Sequence, residues 1–176
     1  MFIKVIRRPE SLECKRFPEK PDDWGNNDFH NSLDRIELYL GDGLYGDALY
    51  WSSEAQTVSN IPGGVFNETV AEGPFKLKAF VDPRAFYGRI HGICDTYDLA
   101  HRYIDMDSVE IADKNRWLMH DWQKPRPNPA GQWTRVAWSA ACFVVKPPDL
   151  EEFGTILDQK GIKPGDLIPG VLVLKA

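Results

Sequence analysis

The stretch "DRIELYLGDG", Asp34 to Gly43, decides the fold class. Ile36, Leu38 and Leu40 alternate with Glu37 and Tyr39, the period of a strand with one face against a core. The Gly-Asp-Gly that follows is a turn signal. The same grammar repeats outward in both directions. Short apolar runs are broken by 13 prolines and 14 glycines, a punctuation that suits many strands and few helices. The predicted strands are Phe2–Ile6, Arg35–Leu40, Ala48–Trp51, Phe75–Val81, Arg89–Ile93, Ser108–Ile111, Trp117–His120, Arg135–Val145 and Gly170–Leu174.

One segment breaks the pattern. In "PPDLEEFGTILDQKGIKPGD" the residues Leu150, Phe153, Ile156 and Leu157 fall on one helical face. Asp149 reads as the N-cap, Glu152 as its capping-box partner and Gly161 as the C-cap, so the spacing predicts a helix over about 149–160. A short second helix is expected near Tyr97–Tyr103. "EKPDDWGNNDFHN" (19–31) reads as a polar loop, and "KPRPNPAG" (124–131) as loop or polyproline-like chain.

The 176 residues suggest one domain, 1–176, long enough to bury its own core. Within it, strands over 1–60 are expected to elaborate a core over 60–176. A hydrophobic share of 43% with 12% aromatics describes a globular chain rather than a disordered one. A net charge of −5 opposes a general nucleic-acid partner, and no run of about 18 apolar residues is present to span a membrane. "MFIKVIRRPE" reads as a strand and not as a signal peptide, which points to a cytoplasmic chain or to non-classical export. Oligomeric state is not legible.

Three cysteines, Cys14, Cys94 and Cys142, leave at least one outside any disulfide. Their spacings match no zinc pattern, and Asp95, Asp98, Asp105 and Asp107 match no EF-hand loop, so neither a metal nor a cofactor is expected. Cys142, in "WSAACFVV", is the chemical candidate. His120 ends "RWLMH", 22 positions earlier (142 − 120), and two neighbouring strands joined by an excursion can bring the pair together. An imidazole beside a thiol can take its proton and release the nucleophilic thiolate. Small residues just before the sulfur permit a bend that aims backbone N–H groups at a developing oxyanion.

The order His120, loop, Ser139-Ala140-Ala141-Cys142-Phe143 resembles the catalytic domain of the L,D-transpeptidases, whose pattern is His-Gly followed by Ser-x-Gly-Cys-apolar-Arg. "SNIPGG" and "VAEGPFKLKAF" look like the lead-in of such domains. The resemblance covers about Asn60 to Val145. It implies a mainly β sandwich or barrel and acyl transfer on peptidoglycan stem peptides, by transpeptidation or L,D-carboxypeptidase hydrolysis. In that pattern Cys142 is the nucleophile, His120 the base and Ser139 a site-organising hydroxyl. Ala141 stands where the family has Gly, Val144 where it has Arg, and Asp121 follows His120 where it has Gly. His91-Gly92 preserves the dipeptide and makes His91 the alternative base. Trp122 and Trp133 flank the Pro-rich loop and could stack on substrate, and Arg135 could clamp a carboxylate. The competing expectation is a non-catalytic binding or structural module on the same fold, associated with a phage particle or secretion system.

Overall fold

A computed structural model describes residues 1–9, 34–41, 47–57, 68–79, 91–94, 101–105, 111–114, 118–121, 126–127, 133–134 and 142–175. The architecture is mainly β with one helix. In chain order the strands are β1 (Phe2–Arg7), β2 (Asp34–Tyr39), β3 (Leu49–Gln56), β4 (Glu68–Val70), β5 (Gly73–Lys78), β6 (His91–Cys94), β7 (His101–Asp105), β8 (Ile111–Lys114), β9 (Leu118–Asp121), β10 (Arg126–Pro127), β11 (Trp133–Thr134), β12 (Phe143–Val145) and, after α1 (Pro147–Gln159), β13 (Leu167–Leu174).

Eight of the strands close a ring in the order β1-β13-β5-β6-β9-β12-β3-β2. Two of its pairings are parallel, β1 with β13 and β9 with β12; the others are antiparallel. The first and last strands of the chain are therefore neighbours, with Val5 beside Leu172. This makes β1, β2 and β3 part of the barrel wall, where the sequence reading treats residues 1–60 as an elaboration. Closure removes the unpaired edges an open sheet would present. A separate three-stranded sheet runs β4-β7-β8, and β10 pairs with β11.

Alternation decides what fills the ring. Ile3 and Val5 of β1, Ile36 and Leu38 of β2, Phe75 and Leu77 of β5, and Ile168 and Leu172 of β13 are buried in one cluster. The residues between them, such as Lys4 and Arg35, turn outward. Helix α1 carries the chain from β12 to β13, four places apart in the ring. It lays Leu150, Phe153, Ile156 and Leu157 onto the same core, and Phe153 meets Trp51 at 5.0 Å between ring centroids. Burying one such side chain contributes about 1.5–3 kcal/mol. The Trp51 Nε1 donor is buried there with no hydrogen-bond acceptor among the described residues.

The helix begins earlier than its sequence signal. Lys146 is the N-cap, without a side-chain cap bond, and Pro147 and Pro148 occupy the first turn. Proline suits that position because its missing N–H would have no intrahelical partner and its φ is already helical. Asp149 is thus not the N-cap. It lies in the first turn, where a carboxylate favours the helix dipole, and accepts a 2.6 Å hydrogen bond from Ser53 Oγ. The other end follows expectation. Gly161 adopts φ +75°, its N–H bonds the Asp158 carbonyl, and the Ile162 N–H reaches the Leu157 carbonyl, both at 3.0 Å. That pair of bonds is a Schellman cap, and Ile162 packs onto the core beside it.

Two further expectations are corrected. Residues 101–103 belong to strand β7 rather than to a second helix, because Tyr103 and His101 pair across to Ala112 and Lys114 of β8; residues 97–100 lie outside the described residues. Arg126–Pro127 is not loop but a short strand paired with Trp133–Thr134.

Gly170 marks the tightest packing in the wall. A β-carbon there would stand 2.6 Å from Phe75 Cζ and 2.9 Å from the Ile3 carbonyl oxygen, and the backbone oxygen cannot swing away. Gly170→Ala is expected to cost about 1–3 kcal/mol, the scale of core overpacking. Urea unfolding checks this, and an unchanged midpoint would refute it.

Candidate functional site

The site is built on the parallel pair β9–β12. In register, Phe143 stands beside Met119, Val144 beside His120 and Val145 beside Asp121. Met119, Phe143 and Val145 belong to the core cluster, so they occupy the inward face. His120 and Val144 alternate with them and turn outward. Cys142 lies one residue before β12, and the strand's alternation carried back to it gives the face of Val144. It sits half-buried at the mouth of β12, while His120 is 2% exposed.

The resulting spacing is diagonal. One strand step of about 4.8 Å and two residues of about 3.3 Å separate the backbones of Cys142 and His120, roughly 8 Å in all. Two side chains on one face can close such a span. His91, the alternative base, stands in β6 opposite Met119. Because β6 lies on the far side of β9 from β12, its backbone is two strand steps, about 10 Å, from that of β12. Strand order thus puts His120 on the strand next to β12 and His91 one strand farther away.

On the other flank of β12, Gln56 of β3 pairs with Val144. The row Gln56–Val144–His120 crosses three strands with exposures of 1%, 0% and 2%. The chain enters this row from Cys142, two residues before Val144, with Gln56 on one flanking strand and His120 on the other. Nothing in the sequence marks Gln56, since β3 continues five residues beyond its predicted end at Trp51 and carries no motif there. A buried amide in this position can donate a hydrogen bond toward an anion forming at the thiol.

The remaining residues of the sequence-predicted site are not brought into this arrangement by anything described. Ser139, Ala141, Trp122 and Arg135 lie outside the described residues. Trp133 is placed only as part of the β11 backbone, paired with Pro127.

Just inside the same end of β3 is a buried polar network. Thr57 follows Gln56 and receives the Arg7 guanidinium on both its hydroxyl (Nε to Oγ1, 2.8 Å) and its carbonyl (Nη2 to O, 2.7 Å). Arg7 Nη1 donates to the Val70 carbonyl at 2.7 Å, tying the ring to β4. Thr57 in turn donates to Asp34 Oδ2, whose other oxygen accepts the Arg8 N–H at 2.8 Å. The network fixes the backbone immediately after Gln56. It is a scaffold for the outward face rather than part of it, since Arg7 is only 1% exposed.

Among the described residues no helix is long and apolar enough to cross a membrane. No family model matches the chain, and no solved structure matches it. It is 36% identical over 185 residues to an uncharacterized protein of Treponema pallidum (strain Nichols), an alignment that spans 97% of this chain and 78% of the relative.

Proposed function

The chain belongs to the family of that uncharacterized Treponema pallidum protein, and we propose that its outward β9–β12 face performs cysteine-dependent acyl transfer on peptidoglycan stem peptides. The observation that supports the reading is the parallel register of Val144 with His120, which makes the strand entered from the half-buried Cys142 the neighbour of the strand that bears the buried His120. In this mechanism His120 takes the Cys142 proton and the thiolate attacks a peptide carbonyl. In this reading the oxyanion is assigned to backbone N–H groups at Ala141 and Cys142, and Ser139 supplies a site-organising hydroxyl. The imidazolium returns its proton to the departing amine, leaving a thioester. An amine resolves it in transpeptidation, and water in L,D-carboxypeptidase trimming.

A second reading, a binding or structural module without chemistry, is favoured by one feature. Val144, where the resembling family has Arg, is wholly buried between Gln56 and His120 and offers no charge to a substrate carboxylate.

Alkylation separates the two. With iodoacetamide at neutral pH, Cys142 is expected to react at least tenfold faster than an unactivated cysteine peptide, and His120→Gln is expected to erase the advantage. A soluble stem tetrapeptide is expected to leave a thioester mass increment on Cys142. Sluggish alkylation together with no adduct would assign the chain to the module reading.

A further inference from the structure

On the opposite wall of the ring, four places from β9, strand β1 runs between β2 and β13 and presents a different surface. Their outward residues line a groove of about 390 Å³ whose walls include Lys4, Ile6, Arg8, Arg35, Glu37 and Lys175. Register explains its layout. One row crosses the three strands as Arg35–Ile6–Val173, and the next as Glu37–Lys4–Val171. Arg8 and Lys175 follow the paired Arg7 and Leu174, and close one end. The floor is the apolar pair Ile6 and Val173; the rim is charged.

The charge is lopsided. Four cations face one carboxylate, in a chain whose net charge is −5. That carboxylate is already engaged. Glu37 accepts the Arg35 Nε at 3.0 Å and the Tyr39 hydroxyl at 2.5 Å. The hydrogen bond to Glu37, and after it burial, hold the Tyr39 phenol above its ordinary pKa range. Lys4, Arg8 and Lys175 make no side-chain ion pair among the described residues. Three cations lining one groove with no ion pair of their own among the described residues raise the local potential and concentrate anions. A groove of this size holds a small organic molecule rather than a protein surface.

We propose that this groove is a second binding site, independent of the Cys142 face, for a small organic anion carrying two or more negative charges, as phosphate or carboxylate, whose apolar part rests on Ile6 and Val173. Arg8 and Lys175 meet one charged end and Lys4 the other. A fork-shaped guanidinium and an ammonium together suit an oxyanion group.

The test is titration calorimetry on the full chain at low salt with pyrophosphate and, in a separate arm, citrate. Saturable one-to-one binding of at least one of them is expected, and the tighter arm identifies the charged group. The triple variant Lys4→Gln, Arg8→Gln, Lys175→Gln is expected to weaken binding roughly 20-fold or more, and ~0.5 M NaCl to weaken it in the unaltered chain, as exposed charges require. The pair Lys78→Gln, Lys163→Gln removes charge elsewhere and is expected to stay within about twofold. If the triple variant does not fold, the pair Arg8→Gln, Lys175→Gln at exposed positions gives the same readout. Failure of both anions to saturate, or equal weakening by the control pair, would overturn the proposal.

Discussion

Cys142→Ala is expected to lower acyl transfer from a stem tetrapeptide by on the order of 10⁴-fold or more, while shifting the melting temperature by no more than about 3 °C. The first half follows from chemistry. Without the sulfur there is no nucleophile and no thioester, and whatever the surrounding hydrogen bonds still do for a carbonyl is a small remainder. The second half follows from position. Cys142 is half-buried before the first residue of β12, outside the core cluster, so losing one sulfur there opens little cavity. His120 is different, being almost fully buried beside Val144, and His120→Gln is expected to cost stability as well as rate. The two variants together separate chemistry from folding. A Cys142→Ala chain that still turned over the tetrapeptide would end the mechanistic proposal, whatever its stability.

The strands that alternate cleanly were legible because each is a local pattern. Ile36 and Leu38 point inward along β2, as the alternation of "RIELYL" requires, and Ile3 and Val5 do the same in β1. The helix was legible for the same reason, but its first residue was not. A capping box at Asp149 and Glu152 and a Pro-Pro pair just before it compete for the same turn. The prolines win because Asp149 has a tertiary partner, Ser53, 96 residues away, that no local rule exposes. Ring closure was equally hidden. Pairing β1 with β13 joins the two ends of the chain, and register between distant strands is set by the faces that both must bury. Short strands such as β7 and β10 carry too few residues to show a period. For the candidate site, the excursion between "RWLMH" and "WSAACFVV" signalled two strands that could be neighbours, and β9 and β12 are neighbours. Gln56 had no such signal: it acquires meaning only from lying in register with Val144.

Arg7→Met is expected to destabilise the protein by about 3–5 kcal/mol, the scale for stripping one partner from a buried charged network. The methionine fills much of the volume, so the loss measures polar contacts and not a cavity. Its guanidinium donates hydrogen bonds to Thr57 Oγ1, the Thr57 carbonyl and the Val70 carbonyl. Removing it takes a charged donor from two carbonyls and the neighbouring cation from an Asp34 that is 2% exposed. Adding Asp34→Leu is expected to recover part of the loss, because a fully apolar replacement leaves fewer unsatisfied groups than a half-dismantled network. Urea denaturation of the single and double variants checks both statements. A single-variant cost below about 1 kcal/mol, or strictly additive costs, would show that the network carries no coupling. The consequence reaches the outward face. Thr57 is the next residue after Gln56, and Gln56 shares a ladder with Val144 and, through it, with His120. Loosening the Arg7 anchor therefore frees the end of β3 on which that row is built. Amide hydrogen exchange at Gln56 and Val144 is expected to quicken in Arg7→Met well before global unfolding, whereas a network that only plugged the ring would leave those amides as protected as before.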